Sequence, residues 1–493
     1  MAKIIRIHEK DNVAVALSPI TAGEEISVGG VTVKAREDIP QGHKIALADI
    51  AEGESIIKYG FPIGHATADA KAGSWMHTHN VKTNLEGEIA YTYEPDIRQL
   101  TPQEPATFMG YLRPDGRAAI RNEIWIIPTV GCVNGVVKTL EKENADLVGG
   151  SVEGIHAFTH PFGCSQTGED HAQTRKLLAA LVNHPNAAAV LVVGLGCENL
   201  THEQFLEELG DFDRDRVKFL TCQEVTDEFE AGRELLKECV SYASRFERQP
   251  LPVSKLVVGM KCGGSDGLSG ITANPAVGAF SDLLCAQGGT TILTEVPEMF
   301  GAEGMLLDRC MSTEVFDKAV HMLNGFKHYF ISHNEVVYDN PSPGNKKGGI
   351  TTLEDKSCGC VQKGGSAPIM DVLGYADQVK KAGLNMLYGP GNDLVSATAL
   401  TAAGCHMILF TTGRGTPFGA PAPTVKIATN TALYTKKPGW MDFNAGTIAE
   451  GEPIPEAAKR LFDLVVETAS GKQTCTEKHG FREISIFKDG VVL

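Results

Sequence analysis

No run of apolar residues in this chain approaches the roughly 20 needed to carry a helix across a bilayer, which argues against a helical membrane protein. Nor is there a Lys/Arg-rich run, and the formal net charge is −16. Nucleic acid and anionic membrane surfaces are therefore not expected partners. No GxxxxGK[ST] occurs and no GxGxxG opens a helix, so nucleotide chemistry is not favoured. Heptads, low-complexity tracts and tandem repeats are missing as well. No signal-peptide pattern precedes the first strand-like residues, 4–7, and the expected compartment is the cytoplasm. An acidic balance does leave room for a locally positive pocket that takes an anionic small molecule.

What the chain has is length, apolar content and cysteine. Its 493 residues allow three domains at about 150 residues each, and 42% hydrophobic content is enough for sizeable cores. Twelve cysteines in such a chain read as thiols or metal ligands rather than disulfides.

Residues 1–82 read as a small all-β domain: short alternating runs at 4–7, 13–17, 25–28, 31–33 and 44–47, separated by Gly, Pro and Asp. This domain ends in His77 and His79. Two apart on a strand, they share a side, and paired imidazoles suit a metal or proton transfer. Two surface histidines at a strand end would look the same. Residues 83–107 have no clear period and read as a linker. From residue 108 strands and helices alternate, which predicts two α/β regions, 108–250 and 251–493, with largely parallel sheets. Residues 124–130 read as a strand whose Pro128 suggests an edge or a bulge. The apolar run 188–193 reads as a strand covered on both faces.

The most distinctive stretch is residues 261–275, KCGGSDGLSGITANP, between an apolar strand-like run and an apolar helix-like one. It predicts strand, long turn and helix, with Asn274 as N-cap and Pro275 in the first helical position. Its four glycines let backbone approach a ligand, and ligands sit beyond the carboxyl ends of strands in α/β sheets. Lys261, Ser265 and Asp266 belong to this turn.

Cys132, Cys164 and Cys197 each follow glycine near a predicted strand end, 32 and 33 residues apart. That is about one βαβ unit, so the three thiols are expected at one edge of one sheet, with Cys262 as a further member. Three thiolates at a point suit iron, as a single ion or as a cluster with an open corner. Cysteine is also a good small core residue, and Cys358 and Cys360 form a second, weaker pair. For anion binding, Arg414 lies between glycines, and Lys261, Lys346 and Lys347 lie in other turns. A guanidinium grips a carboxylate with two hydrogen bonds while flanking backbone N–H groups assist.

Several long segments resemble the altronate/galactarate dehydratase family across essentially the whole chain. They are 59–64 (YGFPIG) with 76–80 (MHTHN), 121–134 (RNEIWIIPTVGCVN), 160–166 (HPFGCSQ), 194–199 (GLGCEN), 262–275, 340–346 (NPSPGNK) and 412–417 (TGRGTP). The resemblance implies a β-clip, SAF-type amino-terminal domain over a larger α/β body. It also implies removal of water from a sugar acid, D-altronate to 2-dehydro-3-deoxy-D-gluconate, with ferrous iron or a similar divalent ion such as manganese. In this reading Cys132, Cys164, Cys197 and Cys262 are the metal candidates, and an iron–sulfur cluster is compatible with them. Arg414, Lys261, Ser265, Asn345 and Lys346 are the candidates for holding the substrate. His77, His79, Asp266 and Glu295 are the acid/base candidates. A galactarate-type dehydratase, a sulfo-lyase acting on sulfolactate and a sugar-acid-binding sensor remain alternatives. Assembly stays open, with a homodimer among the candidates.

Overall fold

A computed structural model describes residues 3–493. Alternating apolar residues build the amino-terminal body. Strands Ile4–Ile5, Val13–Ala16, Lys44–Ala46 and Trp75–Met76 form an antiparallel sheet. Strands Ser55–Lys58, Phe61–Ala66 and Val81–Lys82 form a second, and Glu25–Val28 pairs with Val31–Lys34 as a hairpin. This hairpin turns on Gly29 and Gly30 at φ 57° and 81°, the left-handed pair that a two-residue turn requires. Residues 83–106 hold no helix or strand but are fastened to the carboxyl-terminal body. The Tyr91 hydroxyl donates to Glu303, the Asp96 N–H to the Asp308 carbonyl and the Ala106 N–H to Gln287.

Strands Thr107–Leu112 and Gln249–Pro252 pair antiparallel, so the middle body leaves and rejoins the rest at one place. Its sheet is parallel, ordered Gly154–Ala157, Glu123–Pro128, Ala187–Gly194, Val217–Thr221. Ala187–Gly194 is buried almost throughout, as its unbroken apolar run requires. Glu123–Pro128 is an interior strand, not an edge. Pro128 is tolerated because it closes the strand, and the one register shift lies at the other end, between Glu123 and Ile124.

The carboxyl-terminal body is a seven-stranded sheet, parallel throughout. Its order is Ile369–Leu373, Gly383–Leu387, Thr290–Leu293, Val257–Cys262, Met407–Thr412, Thr424–Ala428, Phe443–Asn444. Helices Ala273–Ala286 and Ile454–Ala469 pack together beside this sheet. One apolar cluster joins Trp125 and Phe205 of the middle body to Leu400 and Phe410 of this one. Helix Ala273–Ala286 begins two residues earlier than expected, with Thr272 preceding it. Asn274 is not the cap: its side chain donates to the Gly359 carbonyl and accepts from the Thr411 hydroxyl.

Candidate active site

From Val257–Cys262 the carboxyl-terminal sheet is built outward on one side, and the chain then returns to build the other from Met407–Thr412. The crevice beyond the carboxyl ends of these two strands is the topological switch point, where α/β sheets place ligands. The two loops are laced together there: the Gly263 N–H donates to the Thr411 carbonyl, and the Gly413 and Arg414 N–H groups both donate to the Gly264 carbonyl. Asp266 accepts from the Ser269 and Thr429 hydroxyls, the Asn430 amide and the Leu268 N–H. Burial pushes its carboxyl up, while these donors oppose the shift. A third loop leads into helix Pro343–Lys347, whose Asn345 completes a capping box with Ser342 and donates to the Ser265 carbonyl at 2.8 Å. Arg414 is exposed and lies beside Gly344; among the described residues it has no ion-pair partner. Lys346, two residues beyond Gly344 on the same short helix, is half-buried.

The amino-terminal body closes over these loops. A Cβ on Gly267 would collide with the Gly42 carbonyl, and one on Gly42 would crowd the Gly348 carbonyl. The His43 ring lies 3.3 Å from the Lys347 carbonyl. Lys44 donates to the Gly349 carbonyl at 2.9 Å and to Asp355 at 2.7 Å, and Lys58 donates to Asp355 at 2.9 Å. All three charged groups are buried. Burial, eased by Asp355, brings the Lys44 ammonium down to about 8. Burial would raise the Asp355 carboxyl, but the two ammoniums hold it well below its ordinary range.

His77 stacks on Trp75, rings nearly parallel at 7° and 5.4 Å apart, with His43 at 4.7 Å. Its Nδ1 is buried without a partner. Burial, aided by the charges of Lys44, His43 and His79, lowers His77 to about 4, so it is neutral at pH 7. His79 is exposed, its ring tilted against Trp75 at 5.2 Å.

Beneath the crevice lies a second, fully buried group. Ligand atoms of Cys262, Glu295, Glu298 and Cys360 all fall within 4.8 Å of one another. The Cys262 and Cys360 sulfurs are 3.7 Å apart. Three ammoniums surround them: Lys261 against Glu295 at 2.5 Å and Asp393 at 3.0 Å, Lys363 against Glu295 at 2.8 Å and the Cys360 sulfur at 2.9 Å, and Lys356 against Glu298 at 2.9 Å. Burial alone would lower Lys363, but Cys262, Cys360, Glu295 and Glu298 hold it above its ordinary range. The Cys360 thiol is pushed well up, first by its hydrogen bond with Cys262 and then by burial. Glu295 sits at φ 70°, a left-handed backbone that a non-glycine residue rarely adopts. A narrow cavity links this group to the crevice, lined by Lys58, Tyr59, Cys262, Ser265, Asp266, Asp355, Lys356 and Cys360. The Ser265 hydroxyl is buried beside it and lacks a hydrogen-bond partner.

The structure thus gathers Ser265, Asp266, Asn345, Lys346 and Arg414 on loops that meet at one crevice, and His77 reaches those loops through His43, whose ring lies against the Lys347 carbonyl. Lys261 and Glu295 lie below it, engaged with each other. Cys132, Cys164 and Cys197 share the carboxyl edge of the middle sheet, but Cys262 does not join them: its strand belongs to the seven-stranded sheet. The expected four-cysteine site therefore divides in two. Sequence reasoning missed Glu298, Lys44, Lys58, Asp355, Lys356 and Lys363, and gave Cys360 little weight. The signals were short: Glu295 and Glu298 are three apart after a strand, and Cys360 and Lys363 three apart at a helix end. Cys358, also buried, is not a member of the four-donor group.

A small β body clamped over the switch point of a parallel sheet, with histidines above and a charged thiol–carboxylate group below, defines an enzyme site for a small polar anion. Three family profiles match the chain: "Altronate/galactarate dehydratase SAF domain" over residues 2–84, "D-galactarate dehydratase/Altronate hydrolase, second domain" over 110–244 and "D-galactarate/Altronate dehydratase, C-terminal" over 253–492. The chain is 53% identical to altronate dehydratase of Escherichia coli K12 over 494 residues, 99% of each chain. It is 52% identical to altronate dehydratase of Bacillus subtilis 168 over 499 residues, 100% of each. Against galactarate dehydratase (L-threo-forming) of Escherichia coli K12 the identity is 35% over 512 residues, covering 99% of this chain and 97% of that one. The chain belongs to the altronate/galactarate dehydratase family.

Proposed function

We propose that this chain is a hydro-lyase that removes water from D-altronate, giving 2-dehydro-3-deoxy-D-gluconate, in the crevice between the SAF domain and the seven-stranded sheet. End-to-end identity of 53% and 52% to two altronate dehydratases, against 35% to a galactarate dehydratase, carries this reading. The reaction takes a proton from the carbon next to the carboxylate and expels the neighbouring hydroxyl; the enol then becomes the keto acid. Arg414, with Lys346 near it, receives the substrate carboxylate, since it is exposed at the crevice and unpaired. The Ser265 hydroxyl takes a substrate hydroxyl. Neutral His77, its Nδ1 buried and free, accepts the proton. His79 at the rim donates to the departing hydroxyl. Asp266 is a positioning residue, because its oxygens are already engaged in holding two loops together.

The donors Cys262, Glu295, Glu298 and Cys360 fit a divalent ion. Three ammoniums face three carboxylates there, so the group is neutral with both thiols protonated. One divalent ion in place of the two thiol protons keeps it neutral. Two sulfur donors favour ferrous iron over manganese. Such an ion would supply Lewis acidity toward developing oxyanion charge at the cavity. The test is turnover of D-altronate, galactarate and sulfolactate by anaerobically purified, iron-loaded protein, read as keto-acid or sulfite release. Keto acid from D-altronate in preference to the other two supports the proposal. Preference for another substrate, or binding without turnover, overturns it.

A further inference from the structure

The three thiols outside this crevice have a site of their own. We propose that Cys132, Cys164 and Cys197 hold a [4Fe–4S] cluster on the middle body, with one iron left free of protein sulfur. Their strands are neighbours: Gly154–Ala157 beside Glu123–Pro128 beside Ala187–Gly194, parallel, all ending at one edge. This is the switch point of the second sheet, since the chain leaves Glu123–Pro128 to one side and returns on the other. Strand axes lie about 5 Å apart, so the loops that follow consecutive ends, and carry the three thiols, open side by side at that edge.

The loops that carry the thiols are fastened to one another. The Gly131 N–H donates to the Phe162 carbonyl at 2.8 Å, and the Leu200 N–H to the Gly163 carbonyl at 3.0 Å. Gly163 lies so close to the Thr129 carbonyl that no Cβ fits there. Cys132 and Cys197 are exposed and Cys164 half-buried, and all three are free thiols. One sulfur already has an amide donor: the Gln223 side chain donates to Cys197 at 3.5 Å, while the Cys164 thiol donates to the Asn199 amide oxygen at 3.3 Å. Amide donors of this kind are how proteins stabilise and tune cluster sulfurs. The Asn134 amide oxygen is buried at the same edge without a partner, while its nitrogen donates to the His160 carbonyl.

A single ion draws its donors together, with metal–sulfur bonds of about 2.3 Å. Among the described residues, a donor group that tight occurs around Cys262 and not here. Three thiols on separate strand ends suit a polynuclear centre, in which each binds a different iron. Each thiol releases its proton to solvent on binding, and the chain undergoes no oxidation.

The experiment is anaerobic reconstitution of the full-length protein with ferrous iron and sulfide, read by acid-labile sulfide, visible charge-transfer absorbance and electron paramagnetic resonance of the reduced protein. The variants are the triple C132S/C164S/C197S and, because Cys197 is exposed, the single C197S. Sulfide retained by the wild type and lost to background in the triple variant, with far-ultraviolet circular dichroism unchanged, supports the proposal. Cysteine alkylation supplies a second readout that does not depend on the variants folding. Cys132, Cys164 and Cys197 should be protected in the loaded protein and labelled after chelation. No labile sulfide in the wild type, sulfide retained by a folded triple variant, or zinc or iron bound there without sulfide would each overturn it.

Discussion

At the scale of single residues, His77 is where chemistry and environment meet. Burial lowers it to about 4, so as a general base it is already deprotonated across the neutral range. The expected wild-type profile of kcat/KM is flat from pH 7 to near pH 5 on its acid side, falling only as pH approaches 4. His77→Gln should lower kcat on the order of 10²–10⁴-fold with a much smaller change in KM. A limb near pH 6.5 in the wild type, or turnover within a few-fold in the variant, would remove His77 from the proton transfer. Arg414 makes the complementary case. Arg414→Lys keeps the charge but loses the two-pronged grip, so KM for D-altronate should rise about tenfold or more with kcat less affected. His77 and Arg414 could be picked out as candidates from the sequence because polar residues between glycines or at strand ends have few other reasons to be there. Glu298 and Lys363 were not, because a buried ion pair has no local sequence pattern: its two halves lie on different elements.

At the scale of elements, the site is an agreement among loops. The glycine-rich turn 263–272 is packed so closely against the 42–43 turn of the SAF domain that Gly267 and Gly42 leave no room for a side chain. Gly267→Ala should therefore separate the SAF domain from the crevice while sparing the sheet beneath. The expected outcome is a loss of kcat/KM on the order of 100-fold, since displacements near 1 Å are enough for that. Faster proteolysis within residues 83–106 should accompany it. Unchanged activity would mean that this close approach does not position the catalytic groups. Strand and helix succession was readable from apolar runs because covered parallel strands have few other signatures. Which sheet a strand joins was not. Cys197 and Cys262 both follow strands, and nothing local distinguishes the four-stranded sheet that takes one from the seven-stranded sheet that takes the other. The spacing that united Cys132, Cys164 and Cys197 worked because their strands are consecutive units of one sheet.

At the scale of the whole molecule, neutral histidines fasten the middle and carboxyl-terminal bodies together. The His184 ring bonds to the Cys405 carbonyl at 3.1 Å, the His406 ring to the Ala118 carbonyl at 2.8 Å, and Asn186 donates to the His406 carbonyl. Burial brings His406 and His160 down to about 4 and His184 well below its ordinary value. Unfolded histidine titrates near 6.5. Between about 6.5 and 4 the unfolded chain therefore binds protons that the native chain refuses, and stability falls as pH drops. His406 and His160 are each worth on the order of 2–3 kcal/mol by pH 4, fully present above pH 6.5, and His184 acts in the same direction. Buried Asp266, Glu354 and Asp442 are pushed up and pull the other way as they take protons. The ion pairs across the same interface act later. Glu477, held to about 2 chiefly by Arg121 against the effect of burial, gives up its share only below its unfolded value near pH 4.5. The melting temperature should thus fall from pH 6.5 downward, before the carboxylate ion pairs begin to be lost. His406→Gln, which keeps a donor but cannot take the proton, should flatten that slope while lowering the plateau at pH 7.5. A melting temperature constant from pH 7 to 5, or an unaltered slope in His406→Gln, would assign the acid sensitivity to the carboxylates instead.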